Sequence, residues 1–540
     1  MARRMFDLLA LASFSNSFGY AWGGSDAIVV SGSPPSNTSA PIPEAFVSFS
    51  IEFAYFPDYA GNSSSPNTFS NNLLNNLGAL TGTKPYIRVG GNTQDYALYN
   101  ASLKEAMNGT INPARSADYP TTIYIGPSYF DSYNTWPGTK FIHGFNLGLG
   151  GNNTAGWETL LETVTLACKA LGTEKLLWWE YGNEPDLYST SAQGPVRPAS
   201  WNEAEYVAQW LNGTRAIKDQ LAIACPELTT NDTYGYIAPS FAGTNNHLKY
   251  WTTWQDGLNT DHDIKLISSH NYIGGATQPG VTLQGTLMNH TSTVHSISTQ
   301  VNESNYLSSY GIPFILGETN SLYNEGAPGL SNSFGAALWG IDFNLWCASV
   351  GIRRTHMHMG TDYRYASWQP IQTNKTAIGT KPPYYGNIVV AAMMGNLVEN
   401  SVQIANIPLE NEREAAYAAY EKGTLARIAV VNMRQYNYTV NGTSDVLNTV
   451  PRPQQEYTFK IPDYCSRTVS VQRLYANGSD AISGISWDGT SYNWELDEGK
   501  PVRLDNVTIG EETRAAGEFV KIQVPDSTAV ILNFGKQGSW

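Results

Sequence analysis

One stretch, KLLWWEYGNEPDLY (175–188), limits this chain most. Leu176, Leu177, Trp178 and Trp179 form a short continuous apolar run. Such a run fits a strand covered on both faces, as in a parallel sheet. It stops at Tyr181-Gly182 and delivers Asn183, Glu184 and Pro185. A (β/α)8 barrel carries its reactive groups at that end of its strands. Alone, Asn-Glu-Pro also fits a plain loop with a helix-starting proline.

The rest of the chain repeats the pattern. Strands are predicted near 47–54, 85–91, 140–148, 175–181, 234–241, 264–272, 313–320 and 352–360. Helical periodicity falls at 69–80, 154–172, 202–225, 291–310, 331–351 and 385–400. Eight strands alternating with helices predict a (β/α)8 barrel over 45–400. After residue 401 short alternating strands are separated by turn residues, which predicts an antiparallel β-sandwich over 401–540. Residues 25–44 include a Ser/Pro-rich linker and a short AIVV run that could add a strand to the sandwich.

Composition narrows the partners. The chain is 12% aromatic and 14% charged, a balance common in proteins that stack on sugars and also produced by a large aromatic core. A net charge of −14 argues against nucleic acid or an anionic membrane as partner. No apolar segment approaches a membrane span. Cys168, Cys225, Cys347 and Cys465 lack C-x-x-C spacing, which removes the usual zinc and redox motifs. The first three fall in helical patterns and read as buried thiols; one disulfide is possible, with no pairing assigned. No cofactor is expected. His356 and His358 point to one side of strand eight, but no third metal ligand accompanies them, so they read as polar residues of the barrel mouth.

Export is expected. Residues 1–24 resemble a short signal peptide, with Arg3 and Arg4 ahead of LLALASF. Glycosylation sequons occur at Asn37, Asn62, Asn100, Asn108, Asn152, Asn212, Asn231, Asn289, Asn302, Asn374, Asn437, Asn441, Asn477 and Asn506.

A second acid, Glu318 in PFILGETN, also ends an apolar strand, three strands after Glu184. In a barrel both side chains then enter one bowl. Two carboxyls facing one sugar are what glycoside hydrolysis uses, one giving a proton to the leaving oxygen and the other attacking the anomeric carbon. Glu318 alone would fit a helix-capping acid equally well.

At this point the chain resembles a known family. RVGGNTQDY (88–96), WWEYGNEPDLY, SSHNYIGG (268–275) and LGETNSLYNEG (316–326) together look like glycoside hydrolase family 79 of clan A. The family comprises β-glucuronidases, 4-O-methyl-glucuronidases and heparanases. The resemblance implies a retaining exo-β-glucuronidase acting on glucuronic-acid-containing glycans, with Glu184 as acid/base and Glu318 as nucleophile. It implies that Asn183 meets the sugar 2-hydroxyl, Asp95 holds distal hydroxyls and Tyr272 hydrogen-bonds the nucleophile. It implies that Tyr323 and Tyr365 hold the substrate carboxylate, with a backbone N–H near Glu325. The family tends to have glycine at that last position, and a carboxylate there would repel a uronate. The absence of a Lys/Arg cluster argues against a sulfated polymer as substrate. Two other readings stay open: a clan A glycosidase for a neutral sugar, and a carbohydrate-binding protein without catalysis.

Overall fold

The structure is a computed structural model, and it describes residues 27–190, 195–442, 444–463, 465, 467–505 and 507–535. The expected leader (1–24), the sequon at Asn506 and the Asn441 side chain lie outside the described residues.

Eight parallel strands close into a barrel. In chain order they are Val47–Glu52, Ile87–Gly90, Phe141–Phe145, Leu176–Tyr181, Tyr236–Phe241, Ile264–Gly275, Phe314–Tyr323 and Thr355–Met359, called strands one to eight below. Strand eight pairs with strand one, which completes the ring. Nearly every strand residue is buried, because side chains alternate between the barrel interior and the surrounding helices. The helices start at side-chain caps: Asn153, Asn202 and Asn289 each accept a backbone N–H from the first turn. The Asn289 oxygen is held by the cap and the residue is only 9% exposed, so burial argues against its reading as a glycan acceptor.

One barrel unit departs from the regular pattern. Between strands two and three there is no α-helix. The chain instead forms a small sheet (Ala97–Tyr99, Met107–Thr110, Thr122–Ile125) and a 3₁₀ helix, Pro127–Asn134. Pro, Gly and Asn punctuation over 108–127 blocks helical propagation there. Leu98, Thr122 and Ile123 of the small sheet line the cavity at the barrel mouth.

The C-terminal strands form two facing sheets. Strand Glu414–Glu421 is buried along almost its whole length because both of its faces are covered. Ala415, Tyr417 and Ala419 join the barrel's core, while Ala416, Ala418 and Tyr420 join the core between the sheets. Ile28–Val29 adds a parallel strand to Gln454–Lys460 of the smaller sheet. The helix Phe334–Ser349 is enclosed between barrel and sandwich, so apolar residues surround it on all sides.

Cys168 and Cys225 form a disulfide, which corrects their reading as buried thiols; Cys347 and Cys465 are free. Helical periodicity made each look like a core residue. Only the packing of helix Thr154–Lys175 beside the end of helix Glu203–Ala224 brings the two sulfurs together.

Candidate active site

Strand four delivers its polar cluster through a forced bend. Gly182 has φ 90 and Glu184 φ 50, a left-handed conformation that a non-glycine residue adopts only when held there. The Glu184 N–H donates to the Ser240 carbonyl of strand five at 2.9 Å, which holds the turn. Glu318 lies on strand seven, in register with His270 of strand six. Glu184, His270 and Glu318 each present one donor atom, and the three atoms lie within 4.8 Å of one another. The two carboxyls thus bring one oxygen each within 4.8 Å, which fits the roughly 5–5.5 Å separation of a retaining pair better than the roughly 6.5–9.5 Å of an inverting one.

A buried arginine organises this bowl. Arg88 is inaccessible to solvent. Its Nε donates to both Glu180 oxygens, at 3.1 and 2.9 Å. Its Nη1 donates to Glu318 Oε2 at 2.8 Å and to Ser50 Oγ at 3.0 Å. Its Nη2 donates to Asn183 Oδ1 at 2.7 Å. That last bond fixes the Asn183 amide, because its oxygen must face the arginine. The Asn183 Nδ2 then donates to Asn92 at 3.1 Å and keeps a second hydrogen for the cavity. The Tyr272 hydroxyl donates to the other Glu318 oxygen at 2.7 Å.

The two glutamates consequently differ in protonation. Burial alone would raise Glu318, but His358, His270, Arg88 and the Tyr272 hydrogen bond outweigh it and hold the carboxyl well below its ordinary value. Burial also pushes His270 down to about 4, so near neutral pH the positive groups beside Glu318 are Arg88 and His358, the latter raised above its ordinary value against burial by the charges of Glu318 and Glu52. Glu184 is raised well above its ordinary value, first by burial and then by the charge of Glu318. Its close partner is the His270 Nδ1, at 2.8 Å. One site thus holds a carboxylate and a carboxylic acid side by side, a division that general acid and nucleophilic chemistry both require. Glu184, His270 and Glu318 also form the group in which a cation could be sought among the described residues. Arg88 and Tyr272 already engage both Glu318 oxygens, which suits a charge-stabilised nucleophile better than a metal ligand.

Three further acids carry raised values: Asp58 and Asp95 at about 6 and Asp186 at about 7, each chiefly through burial. A raised folded value contributes stability that is fully present below the ordinary 3.8 and is lost as pH rises through 6–7. Glu318 is depressed, so its contribution is present above 4.5 and is lost as pH falls toward its folded value. The melting temperature should accordingly peak near pH 4 and fall as pH rises toward 7. A melting temperature that stays level from pH 4 to 7 would show these acids ionising as they do in water.

The bowl opens into a cavity of about 1080 Å³. Asn183, Glu184, Tyr272, Glu318, Tyr323, Glu325 and Tyr365 all line it. Tyr365 is buried, 6.1 Å ring to ring from Tyr272, and Tyr323 stands half-exposed at the rim. Asp95 also borders the cavity, but its carboxylate is fully engaged. It accepts from the Leu147 and Gly148 N–H groups (3.0 and 3.1 Å), the Asn183 N–H (2.9 Å) and the Tyr188 hydroxyl (2.7 Å). Four donors fill a carboxylate's acceptor sites. This corrects the expectation that Asp95 holds sugar hydroxyls: it braces the turn that presents Asn183. Asp95→Ala would leave those buried donors unpaired, and we expect at least about 3 kcal/mol of destabilisation in a denaturant melt. A normal melt with raised KM would restore the substrate-contact reading.

Sequence reasoning passed over Arg88, Glu180, His270 and the role of His358, whose Nδ1 lies 2.9 Å from Ser50 Oγ and 3.6 Å from Glu318. A signal existed for the first pair. Arg88 and Glu180 each interrupt an apolar strand, and buried charges must find partners.

Comparisons with known proteins bear on this site. Residues 416–531 match the glycosyl hydrolase family 79 C-terminal beta domain. A β-glucuronidase of Neurospora crassa is 59% identical over 512 residues, 91% of each chain. A β-glucuronidase of Aspergillus niger is 59% identical over 518 residues, 94% of each chain. Among solved structures, a 4-O-α-L-rhamnosyl-β-D-glucuronidase from Fusarium oxysporum superposes with a TM-score of 0.74 at 25% identity, covering 94% of this chain and all of that one. An α-L-arabinofuranosidase from Thermotoga petrophila shares the fold at 13% identity, with a TM-score of 0.57, covering 94% of this chain and 99% of that one.

Proposed function

The chain belongs to glycoside hydrolase family 79, and on that premise we propose that it is a retaining exo-β-glucuronidase that removes terminal β-linked glucuronic acid by double displacement. The observation that carries the mechanism is the pair of glutamates whose oxygens lie within 4.8 Å and whose protonation differs.

In the first step the Glu318 carboxylate attacks the anomeric carbon. Glu184 gives its proton to the glycosidic oxygen, and the aglycone leaves as an alcohol. The products are a glycosyl ester on Glu318 and an ionised Glu184. Esterification removes the Glu318 charge, which is one cause of the raised Glu184 value. Glu184 can then stay ionised long enough to take a proton from water. The water oxygen attacks the anomeric carbon, Glu318 leaves as a carboxylate, and Glu184 regains its proton. Two inversions retain the configuration. Asn183 meets the 2-hydroxyl with its free N–H, an interaction that strengthens in the transition state. Tyr323 and Tyr365 meet the uronate carboxylate through phenol donors, so recognition needs no basic groove.

We place the protein outside the cell. The Cys168–Cys225 disulfide supports this, since such bonds persist in oxidising compartments. Hydrolysis of paired aryl β-glucuronide and β-glucoside substrates at about pH 5 tests the activity. Strong preference for the glucuronide is the expected result. Preference for the glucoside would favour the neutral-sugar reading, and turnover of neither would favour a binding protein.

A further inference from the structure

A carboxyl on the cavity wall is an obstacle to a uronate, and the surroundings of Glu325 indicate how the obstacle is removed. Glu325 lines the cavity with Tyr363 and Tyr365. Its loop runs through three left-handed residues, Asn324, Glu325 and Gly326, with φ of 62, 59 and 80. For the two non-glycine residues this is strain that the surroundings must hold. Arg364 holds it: its N–H donates to the Glu325 carbonyl at 2.8 Å, its Nε to the Gly326 carbonyl at 2.9 Å and its Nη2 to the Asn324 carbonyl at 3.2 Å.

The charge of Arg364 goes elsewhere. Its fork engages Asp118 at 2.7 and 3.1 Å, and Lys375 stands a further 3.9 Å from Asp118. The Glu325 carboxyl lies 3.7 Å from Arg364, beyond hydrogen-bond reach, and its side chain is 15% exposed. Asp118 comes from the segment between strands two and three, and Arg364, Tyr363 and Tyr365 from the loop after strand eight. Glu52, at the end of strand one, adds a second nearby acid. Two adjacent carboxyls, Glu325 and Asp118, therefore share one guanidinium.

We propose that the Glu325–Asp118 pair holds one proton on Glu325, that this proton keeps the cavity wall beside Tyr365 neutral, and that Glu325 thereby sets the preference between uronides and neutral sugars. Protonated, Glu325 offers an O–H and no charge to the incoming carboxylate. Ionised, it repels that carboxylate and leaves a neutral sugar unaffected. Burial first, and then the Asp118 charge, push the Glu325 carboxyl up to about 8. The proton is thus present at acidic and neutral pH. This assignment rests on the glucuronidase reading above.

The test measures D-glucuronate binding by calorimetry at pH 6 and pH 9, with the full chain and with Glu325→Gln and Glu325→Gly. At pH 9 about one-tenth of Glu325 would stay protonated, so the wild-type Kd should rise about tenfold. Both variants should hold their Kd within about twofold over the same range. Gln keeps a neutral donor, and Gly suits the left-handed backbone, so one variant covers misfolding of the other. A wild-type Kd that does not change with pH, or variants that weaken as the wild type does, would overturn the assignment while leaving the activity intact. Failure of the wild type to cleave an aryl β-glucuronide at pH 6 would remove both.

Discussion

Glu318→Ala should lower hydrolysis of an aryl β-glucuronide by at least about 10⁴-fold, with little change in KM. Two hydrogen-bond donors and a nearby imidazole explain why this residue, among several acids in the bowl, is the nucleophile. Arg88 and Tyr272 hold one oxygen each, and His358 lies 3.6 Å away, so the anion is stabilised before any sugar arrives. The same substitution leaves Arg88 with Glu180 as its remaining carboxylate partner. Loss of activity should therefore come with a moderate shift in melting temperature, which circular dichroism separates from unfolding. Undiminished turnover in a folded Glu318→Ala variant would remove the nucleophile from this position and the double displacement with it.

Glu184→Ala should behave differently, and the contrast is the more telling experiment. General acid help matters in proportion to how poor the leaving group is, and is worth about 10²–10⁴-fold. An alkyl or glycan aglycone should be cleaved slower by that factor, whereas a dinitrophenyl glucuronide should still form the glycosyl-enzyme. The second step also lacks its base, so that ester should accumulate and appear as a burst. Azide needs no base, so adding it should speed release and yield a β-configured glucuronosyl azide. An α-configured azide product, or equal slowing for all aglycones, would contradict the assigned role. In the wild type, activity should decline as pH rises and Glu184 loses its proton, because only the protonated form can assist the leaving group.

What the sequence determined about this protein rests on short-range pattern. Apolar runs such as LLWW and FILG are readable because a strand covered on both faces must be apolar throughout. Alternating strands and helices then give the ring, and the ring forces strand-end acids into one bowl. Glu184 and Glu318 were legible for that reason, and Tyr272 through the resemblance of SSHNYIGG to the family. The change to short alternating strands after residue 401 was legible in the same way.

Tertiary structure alone decided how those groups are charged and what surrounds them. Arg88 meets Glu180 across 92 residues and Glu318 across 230, and no local pattern encodes such a pairing. The family resemblance made Asp95 a sugar ligand, but four donors from outside its turn fill its acceptors. Cys168 and Cys225 looked like core residues until their helices were set side by side. Glu325 looked like a barrier to a uronate until Asp118 and Arg364 arrived from distant loops. Protonation, pairing and hydrogen-bond saturation are properties of three-dimensional neighbourhoods, so they emerge only when the barrel closes.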